Sequence, residues 1–151
     1  GLEVPHSFTK GQSLIYRIAQ KFSVEHLLDK SFQKLSGGEK ARVQLARCCI
    51  KNAPLLLVDE PIAPLDPYYQ IDIMEQLKSL TPNQTCVVAI HHLSLAYQFC
   101  DEIILLNKGR IIASGETQAV LNAENLAVAF NVKAEFDTEK REILGIRKLE
   151  K

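Results

Sequence analysis

The chain has 151 residues with 18 basic and 18 acidic side chains, so its formal net charge is zero. This balance argues against a partner held mainly by charge, such as nucleic acid or an anionic membrane surface. Apolar residues make up 46% of the chain, which is enough for one ordinary domain with a buried core. We expect no secretory signal peptide, and no membrane-spanning helix because no apolar run approaches about 20 residues.

The four cysteines do not have the spacing of a metal site or a redox pair. No two of them form a C-x-x-C motif, and adjacent Cys48 and Cys49 cannot both face one metal from a regular helix. We therefore expect Cys48, Cys49, Cys86 and Cys100 to be free, partly buried thiols in a reducing compartment.

The first third of the chain has the apolar spacing of helices. In residues 13–22, SLIYRIAQKF, apolar side chains recur at helical intervals, and Ser23 is predicted to cap a short second helix. Ser36 followed by Glu39 is a capping-box pattern, which predicts a helix from there to about Lys51. Its predicted buried residues are Val43, Ala46, Cys49 and Ile50.

Strand and helix patterns then alternate. Four consecutive apolar residues, 55–58, predict a strand buried on both faces of a parallel sheet. The elements predicted after it are a helix of about 13 residues from Pro67, a strand at 85–90, a short helix at 93–100, strands at 101–107 and 111–114, helices within 116–130 and a terminal hairpin. This order predicts an α/β fold whose parallel sheet is covered by helices on both faces.

Polar side chains follow the first two predicted strands, at the edge where ligands bind in such sheets. Asp59 suits a Mg²⁺ position, and Glu60 suits the polarisation of an attacking water. The alternative is that one acid caps the next loop and the other is solvated. His91 suits a phosphate contact, although a lone histidine there is more often structural, and His92 is the weaker candidate.

Ser36, Gly37 and Gly38 open a predicted helix, where free N–H groups and the helix dipole favour an anion. The hydroxyl of Ser36 adds a donor, and the glycines let an anion approach the backbone closely. Such a turn is also common as a plain structural cap. Asp66, likewise, could simply cap the helix that begins at Pro67.

The segments that carry these residues resemble one family. LSGGEKARVQLARCCIKNAPLLLVDEPIAPLD is similar to the signature motif, Walker B strand and D-loop of ATP-binding cassette (ABC) ATPases. VVAIHHLSLAYQFCDEIILLNKGRIIASG is similar to their switch-histidine segment and the hairpin after it. The resemblance implies the later half of a RecA-like P-loop NTPase core at residues 36–131, with part of the helical subdomain at 1–35 and a hairpin tail at 132–151.

The resemblance also implies roles for the residues. Asp59 would position Mg²⁺, Glu60 would act on the attacking water, and His91 would contact the γ-phosphate of ATP. Asp66 would lie at the interface of a head-to-tail dimer with a second ATPase protomer. The signature loop would contact ATP held by that protomer, and its residues are Leu35, Ser36, Gly37, Gly38 and Glu39. Membrane permease subunits would be further partners, with the ATPase peripheral on the cytoplasmic side of the inner membrane.

The sequence departs from the family pattern in four ways. It contains no GxxxxGK[ST] phosphate-binding loop (Walker A), and no glutamine loop is identifiable. His92 stands where the family usually has aspartate, and Ile62, Ala63 and Pro64 replace Thr-Ser-Ala. We therefore expect a C-terminal portion of an ABC ATPase that is inactive by itself and self-associates through an unpaired sheet edge and exposed apolar surface.

Two segments favour one branch of the family. GLEVPH, residues 1–6, and VLNAENLAVAFNV, residues 120–132, resemble segments of importer ATPases for iron-siderophore, haem and cobalamin. One alternative is a soluble, translation-associated ABC ATPase, which is disfavoured because APLD and HHL replace the NHLD and HDR usual there. The other alternative is a non-catalytic interaction module.

Overall fold

The computed structural model describes residues 9–81 and 83–150, and the chain divides into two units, Gly1–Ile90 and His91–Lys151. The GLEVPH segment lies outside the described residues, as does Pro82. The first unit contains Lys10–Lys21 (α1), Gly37–Ile50 (α2), Leu55–Asp59 (β1), Pro67–Lys78 (α3) and Thr85–Ala89 (β2). The second unit contains Leu93–Phe99 (α4), Glu102–Asn107 (β3), Arg110–Glu116 (β4), Thr117–Val120 (α5), Ala123–Phe130 (α6), Val132–Asp137 (β5) and Glu142–Lys148 (β6).

Helix α1 begins at Lys10 rather than at residue 13, because Thr9 caps it. The Thr9 hydroxyl accepts a hydrogen bond from the N–H of Gln12 at 3.3 Å. The side-chain oxygen of Gln12 accepts in return from the N–H of Thr9 at 2.9 Å. This capping box satisfies two backbone donors at the helix start, which the apolar spacing of the helix could not reveal.

Ser23 is not the N-cap that the sequence predicts. Its φ is 53°, in the left-handed region, and its N–H donates to the carbonyl of Gln20. The N–H of Val24 donates to the carbonyl of Ala19, which completes a Schellman motif at the end of α1. Ser23 therefore ends one helix rather than beginning another. A single 3-10 turn, Glu25–Leu27, stands in place of the predicted short helix.

Helix α2 has the predicted capping box and ends where the sequence predicts, but its buried stripe differs. The buried residues of the helix are Arg42, Leu45, Ala46 and Cys49. Val43 and Ile50, which the sequence places in the core, are only half-buried. A charged side chain therefore occupies a core position that the sequence prediction omitted.

Strands β1 and β2 form a parallel pair that runs in register from Leu55 beside Thr85 to Asp59 beside Ala89. Among the described residues this sheet has no third strand, because β3 pairs with β4 in an antiparallel hairpin instead. The predicted parallel sheet is therefore present, but it is smaller than the strand order suggested.

Only one face of the β1–β2 pair is covered. Leu56 is 8% exposed, and the Sγ of its neighbour Cys86 lies 3.8 Å from the carbonyl oxygen of Leu77 on α3. Alternate residues point to the opposite face, where Leu55 is 50% exposed and Leu57 is 70% exposed. The prediction of burial on both faces is wrong for this chain, because no described element packs on that side.

The second unit consists of two hairpins with helices packed on them. The carbonyl of Cys100 accepts from the hydroxyl of Thr117 and from Nη2 of Arg141, both at 2.7 Å. The ring of Tyr97 lies 5.1 Å from that of Phe136. These contacts attach the C-terminal hairpin β5–β6, which the sequence predicts, to the rest of the unit. No helix in the described part of the chain is long and apolar enough to cross a membrane.

Candidate functional site

The signature turn, residues 36–38, forms the N-terminus of α2 together with Glu39. The hydroxyl of Ser36 accepts from the N–H of Glu39 at 3.2 Å, and the Glu39 carboxylate accepts from the N–H of Ser36 at 2.8 Å. The backbone bond from Ser36 is the main cause that lowers the pKa of Glu39 below its usual value. No hydrogen bond among the described residues uses the N–H groups of Gly37 or Gly38.

These free donors fit the requirements of a phosphate group. Two glycine N–H groups and the O–H of Ser36 lie at the positive end of a helix dipole, which favours an anion. The ionised carboxylate of Glu39 lies beside them and opposes an anion, so the donors must outweigh it. Leu35 differs from its neighbours, because its side chain is 6% exposed and lines an apolar cavity of about 230 Å³. Only its backbone borders the turn.

Asp59 and Glu60 lie exposed at the C-terminal end of β1. Glu60 has a φ of 43°, a left-handed conformation that costs a residue other than glycine about 1–2 kcal/mol. Its N–H donates to the carbonyl of Ala89 on β2 at 3.0 Å, which holds the strained turn in place. The functional role of Glu60 rests on its place at the end of β1 and stays a prediction.

A magnesium ion would find one protein ligand here rather than a cage. The described residues contain no group of three or more His, Cys, Asp or Glu side chains that could hold a metal. Mg²⁺ is usually held by one or two carboxylates together with waters and phosphate oxygens. The exposed carboxylate of Asp59 fits that mode, since it can occupy one coordination position, directly or through a water.

The loop of residues 60–66, between β1 and α3, packs against the signature turn. A Cβ atom at Gly38 would lie 3.1 Å from Cδ2 of Leu65 and 3.7 Å from the carbonyl oxygen of Pro64. A Cβ at Gly37 would lie 3.9 Å from Cβ of Pro64, an ordinary contact. The turn with the free donors and the loop that begins at Glu60 therefore belong to one packed surface.

Asp66, the N-cap of α3, and Gln70, on α3 itself, hold the end of this loop. Asp66 accepts from the N–H of Tyr69 at 3.2 Å, so its predicted capping role is confirmed, whereas its place at a dimer interface stays a prediction. The amide of Gln70 donates to the carbonyls of Leu65 and Ile62 at 3.1 and 3.3 Å. The carbonyl of Ile62 also accepts from the N–H of Leu65 at 3.1 Å, so the amide of Gln70 adds to the backbone bonds of the loop.

The two histidines belong to the second unit, where His92 begins α4. Nδ1 of His92 accepts from the N–H of Leu95 at 3.4 Å, which makes His92 the N-cap of α4. An aspartate would offer the same kind of acceptor to a helix start, so this bond explains how His92 can replace it. The phosphate role of His91 stays a prediction.

Arg42 and Gln70 contribute to this region, and the sequence reasoning missed both. Arg42 stands on the same helical stripe as Leu45 and Cys49, so a charge at an apolar position was the available signal. Gln70 lies one helical turn after Asp66, and nothing in the sequence distinguishes it from an exposed glutamine.

The sequence matches one protein-family model and several curated proteins. Residues 6–63 match the family model described as ABC transporter. The chain is 42% identical over 137 residues to the Hemin import ATP-binding protein HmuV of Pseudoalteromonas translucida, covering 85% of this chain and 52% of that protein. It is 34% identical over 129 residues to the Cobalamin import ATP-binding protein BtuD of Halobacterium salinarum, covering 84% of this chain and 32% of that protein. The chain thus spans about half the length of these relatives, or less.

Solved structures have the same fold. A metal-chelate type ABC transporter in an inward-facing conformation matches with a TM-score of 0.77 at 24% identity, covering 99% of this chain and 62% of that chain. A dimeric ATP-binding cassette bound to ADP and Pi matches with a TM-score of 0.65 at 26% identity, covering 76% of this chain and 51% of that chain. These likenesses confirm the predicted α/β fold class, a RecA-like P-loop NTPase core.

Proposed function

Because this chain belongs to the ATP-binding domains of the ABC transporter family, we propose that it is part of the ATP-hydrolysing subunit of a metal-chelate importer. Haem, cobalamin or an iron-siderophore would be the cargo, and the named import roles of the two relatives above support this choice. The observation that carries the catalytic part is the packing of the signature turn, with its free N–H groups, against the loop that begins at Glu60.

The signature turn would act on ATP held by a second protomer. In a head-to-tail dimer, Ser36 and the two glycines that follow it donate hydrogen bonds to the γ-phosphate. The sequence has no phosphate-binding loop of its own, so the cradle for the other phosphates must come from residues outside this sequence. The dimeric cassette with ADP and Pi supports a dimer as the working form.

Three residues would serve the hydrolytic step itself. Asp59 would hold one coordination position of Mg²⁺, which would supply positive charge beside the phosphates. Glu60 lies in its strained turn at the strand end and orients the attacking water, from which its carboxylate accepts a proton. His91 donates a hydrogen bond to the γ-phosphate.

The membrane-bound partners of the subunit would be permease proteins, with the ATPase peripheral on the cytoplasmic side of the inner membrane. The 151-residue chain would also associate with itself. Support for this comes from exposed apolar side chains on each unit taken separately: Leu57 is 70% exposed in the first, and Ile104 and Ile111 are 62% and 64% exposed in the second. The same surfaces favour a non-catalytic interaction module as the second candidate function.

Two measurements test these candidates, and the second separates them. The purified chain alone should not turn over MgATP, because its signature turn has no nucleotide to act on. Steady turnover that disappears in a Glu60→Gln variant would contradict this expectation.

The stronger test supplies the missing nucleotide site from a relative. The Pseudoalteromonas hemin import protein, with its own signature motif inactivated by substitution, is mixed with this chain. Dimer formation in ATP is measured by analytical ultracentrifugation. A mixed dimer contains one complete site, formed by the relative's phosphate-binding loop and the Ser36 turn, so ATP turnover should return. A Ser36→Arg variant of this chain should abolish the turnover, whereas the exposed control Glu75→Gln should not. Mixed dimers without turnover would favour the interaction module.

A further inference from the structure

Arg42 is a charged side chain in the core of the first unit, where it contacts two neighbouring elements. It is 5% exposed. Its guanidinium carbon lies 3.9 Å from the centre of the Tyr69 ring on α3. Its Nη1 donates to the carbonyl of Ser23, just beyond the end of α1, at 2.9 Å. One side chain of α2 therefore connects the end of α1 with the start of α3.

A charge is a costly way to fill this position. A buried cation needs compensating partners, whereas a methionine beside Leu45 and Cys49 would fill similar volume without them. The aromatic face and the carbonyl supply the compensation, although Nε of Arg42 has no acceptor among the described residues. Both contacts are directional, so they constrain the orientation of the helices as well as filling space.

Both ends of this connection adjoin the candidate site. The N–H of Tyr69 donates to Asp66, so the ring belongs to the capped first turn of α3. Gly38 lies one helical turn before Arg42, and a Cβ there would be 3.1 Å from Leu65. The first turns of α2 and α3 are thus held together at two points. One is the guanidinium of Arg42 on the Tyr69 ring, and the other is the close approach of Gly38 to Leu65.

We propose that Arg42 is a positioning residue, which holds α2 against α3 so that the signature turn keeps a fixed place relative to Asp66. Its effect on ATP turnover rests on the proposed function, since Arg42 is buried and acts only through the turn. A residue that merely stabilised the core would lower the folded population without moving the turn. A conservative substitution distinguishes these two roles.

The first experiment reads the position of the turn directly in the 151-residue chain. The sequence has seven glycines, so a ¹H–¹⁵N spectrum of glycine-labelled protein is simple, and Gly37→Ala and Gly38→Ala identify the two signals of the turn. Arg42→Lys and Tyr69→Leu should both shift these signals, because each removes the guanidinium–ring contact. Tyr69→Phe keeps the ring face and should leave them in place, as should Arg47→Lys, a control at an exposed position of the same helix.

The second experiment measures ATP turnover in the mixed dimer described above. Arg42→Lys and Tyr69→Leu should lower turnover at saturating ATP by about tenfold or more, since small displacements of a catalytic contact have large effects on rate. Tyr69→Phe should keep turnover near the value of the unaltered chain. Circular dichroism establishes that each variant is folded at the assay temperature.

Two results would overturn the proposal. One is that the Gly37 and Gly38 signals stay in place in both Arg42→Lys and Tyr69→Leu. The other is that the loss of turnover equals that of a core variant, Ile73→Val, matched for thermal stability, since that would make the effect purely structural. If the unaltered mixed dimer shows no turnover, the proposed ATPase function fails, and the glycine signals alone still decide whether Arg42 positions the turn.

Discussion

A methyl group added at Gly38 should push the signature turn and the loop of residues 60–66 apart. It would lie 3.1 Å from Cδ2 of Leu65, whereas a methyl at Gly37 would meet only Cβ of Pro64 at 3.9 Å. Carbon atoms in contact prefer separations of about 3.5–4.0 Å, so Leu65 must move by a few tenths of an ångström. Leu65 is 8% exposed, which leaves it little room to move.

The two glycines form a matched pair for estimating the effect. Replacing a helical glycine by alanine gains up to about 1 kcal/mol of helix propensity at either position. Overpacking of a core costs about 1–3 kcal/mol, and the structure assigns that cost only to Gly38. We therefore expect Gly37→Ala to stabilise the first unit slightly and Gly38→Ala to destabilise it by up to about 2 kcal/mol, a difference of about 1–3 kcal/mol between them.

Urea unfolding followed by circular dichroism measures the difference in the free energy of unfolding. Hydrogen exchange at the amides of α2 should be measured as well, because the two units of the chain need not unfold in a single transition. The packing argument would be refuted if Gly38→Ala were as stable as Gly37→Ala, or more stable.

Three further predictions concern single side chains. Burial raises the pKa of the Cys49 thiol to about 11, so iodoacetamide at about pH 8 should label exposed Cys48 well before Cys49, and equal labelling in peptide mass spectrometry would contradict the burial. Because the pKa of Glu39 is lowered in the folded chain, its ionised carboxylate stabilises α2 fully at pH values above the usual pKa of 4.5. This contribution is lost as the pH falls from 4.5 through the lowered pKa. Unfolding measured from about pH 6 to about pH 3 should show that loss in the unaltered chain and not in Glu39→Ala. Gln70→Leu removes the side-chain donor of the Leu65 carbonyl, whereas the Ile62 carbonyl keeps the N–H of Leu65 as a donor. The variant should destabilise the first unit by about 1–3 kcal/mol, which urea unfolding against the unaltered chain would measure.

Local signals in the sequence were enough to predict several features of the candidate site. The capping box of Ser36 and Glu39 and the cap of Asp66 on α3 both close within three residues, so the chain itself contains both partners. The left-handed turn at Glu60 was not predictable in this way. It is maintained by a hydrogen bond to Ala89 on the neighbouring strand, and only the pairing of the strands brings that carbonyl within reach.

Ser23 shows how a local signal can be ambiguous. A serine can begin a helix with its side chain or end one with its backbone, and the sequence around Ser23 permits both. The backbone bonds of residues 23 and 24 to the last turn of α1 decide the matter in favour of the end.

The sequence by itself determined which residues share a face, the order of strands and helices, and the motifs that place the chain in its family. The tertiary structure alone decided what covers each face. Leu57 belongs to an apolar run typical of a fully buried strand, yet it is 70% exposed because no described element packs on its side. Arg42 would be assigned to the surface on its charge, yet it is 5% exposed because Tyr69 and Ser23 compensate that charge. Periodicity defines a face, whereas burial depends on contacts between residues far apart in the chain.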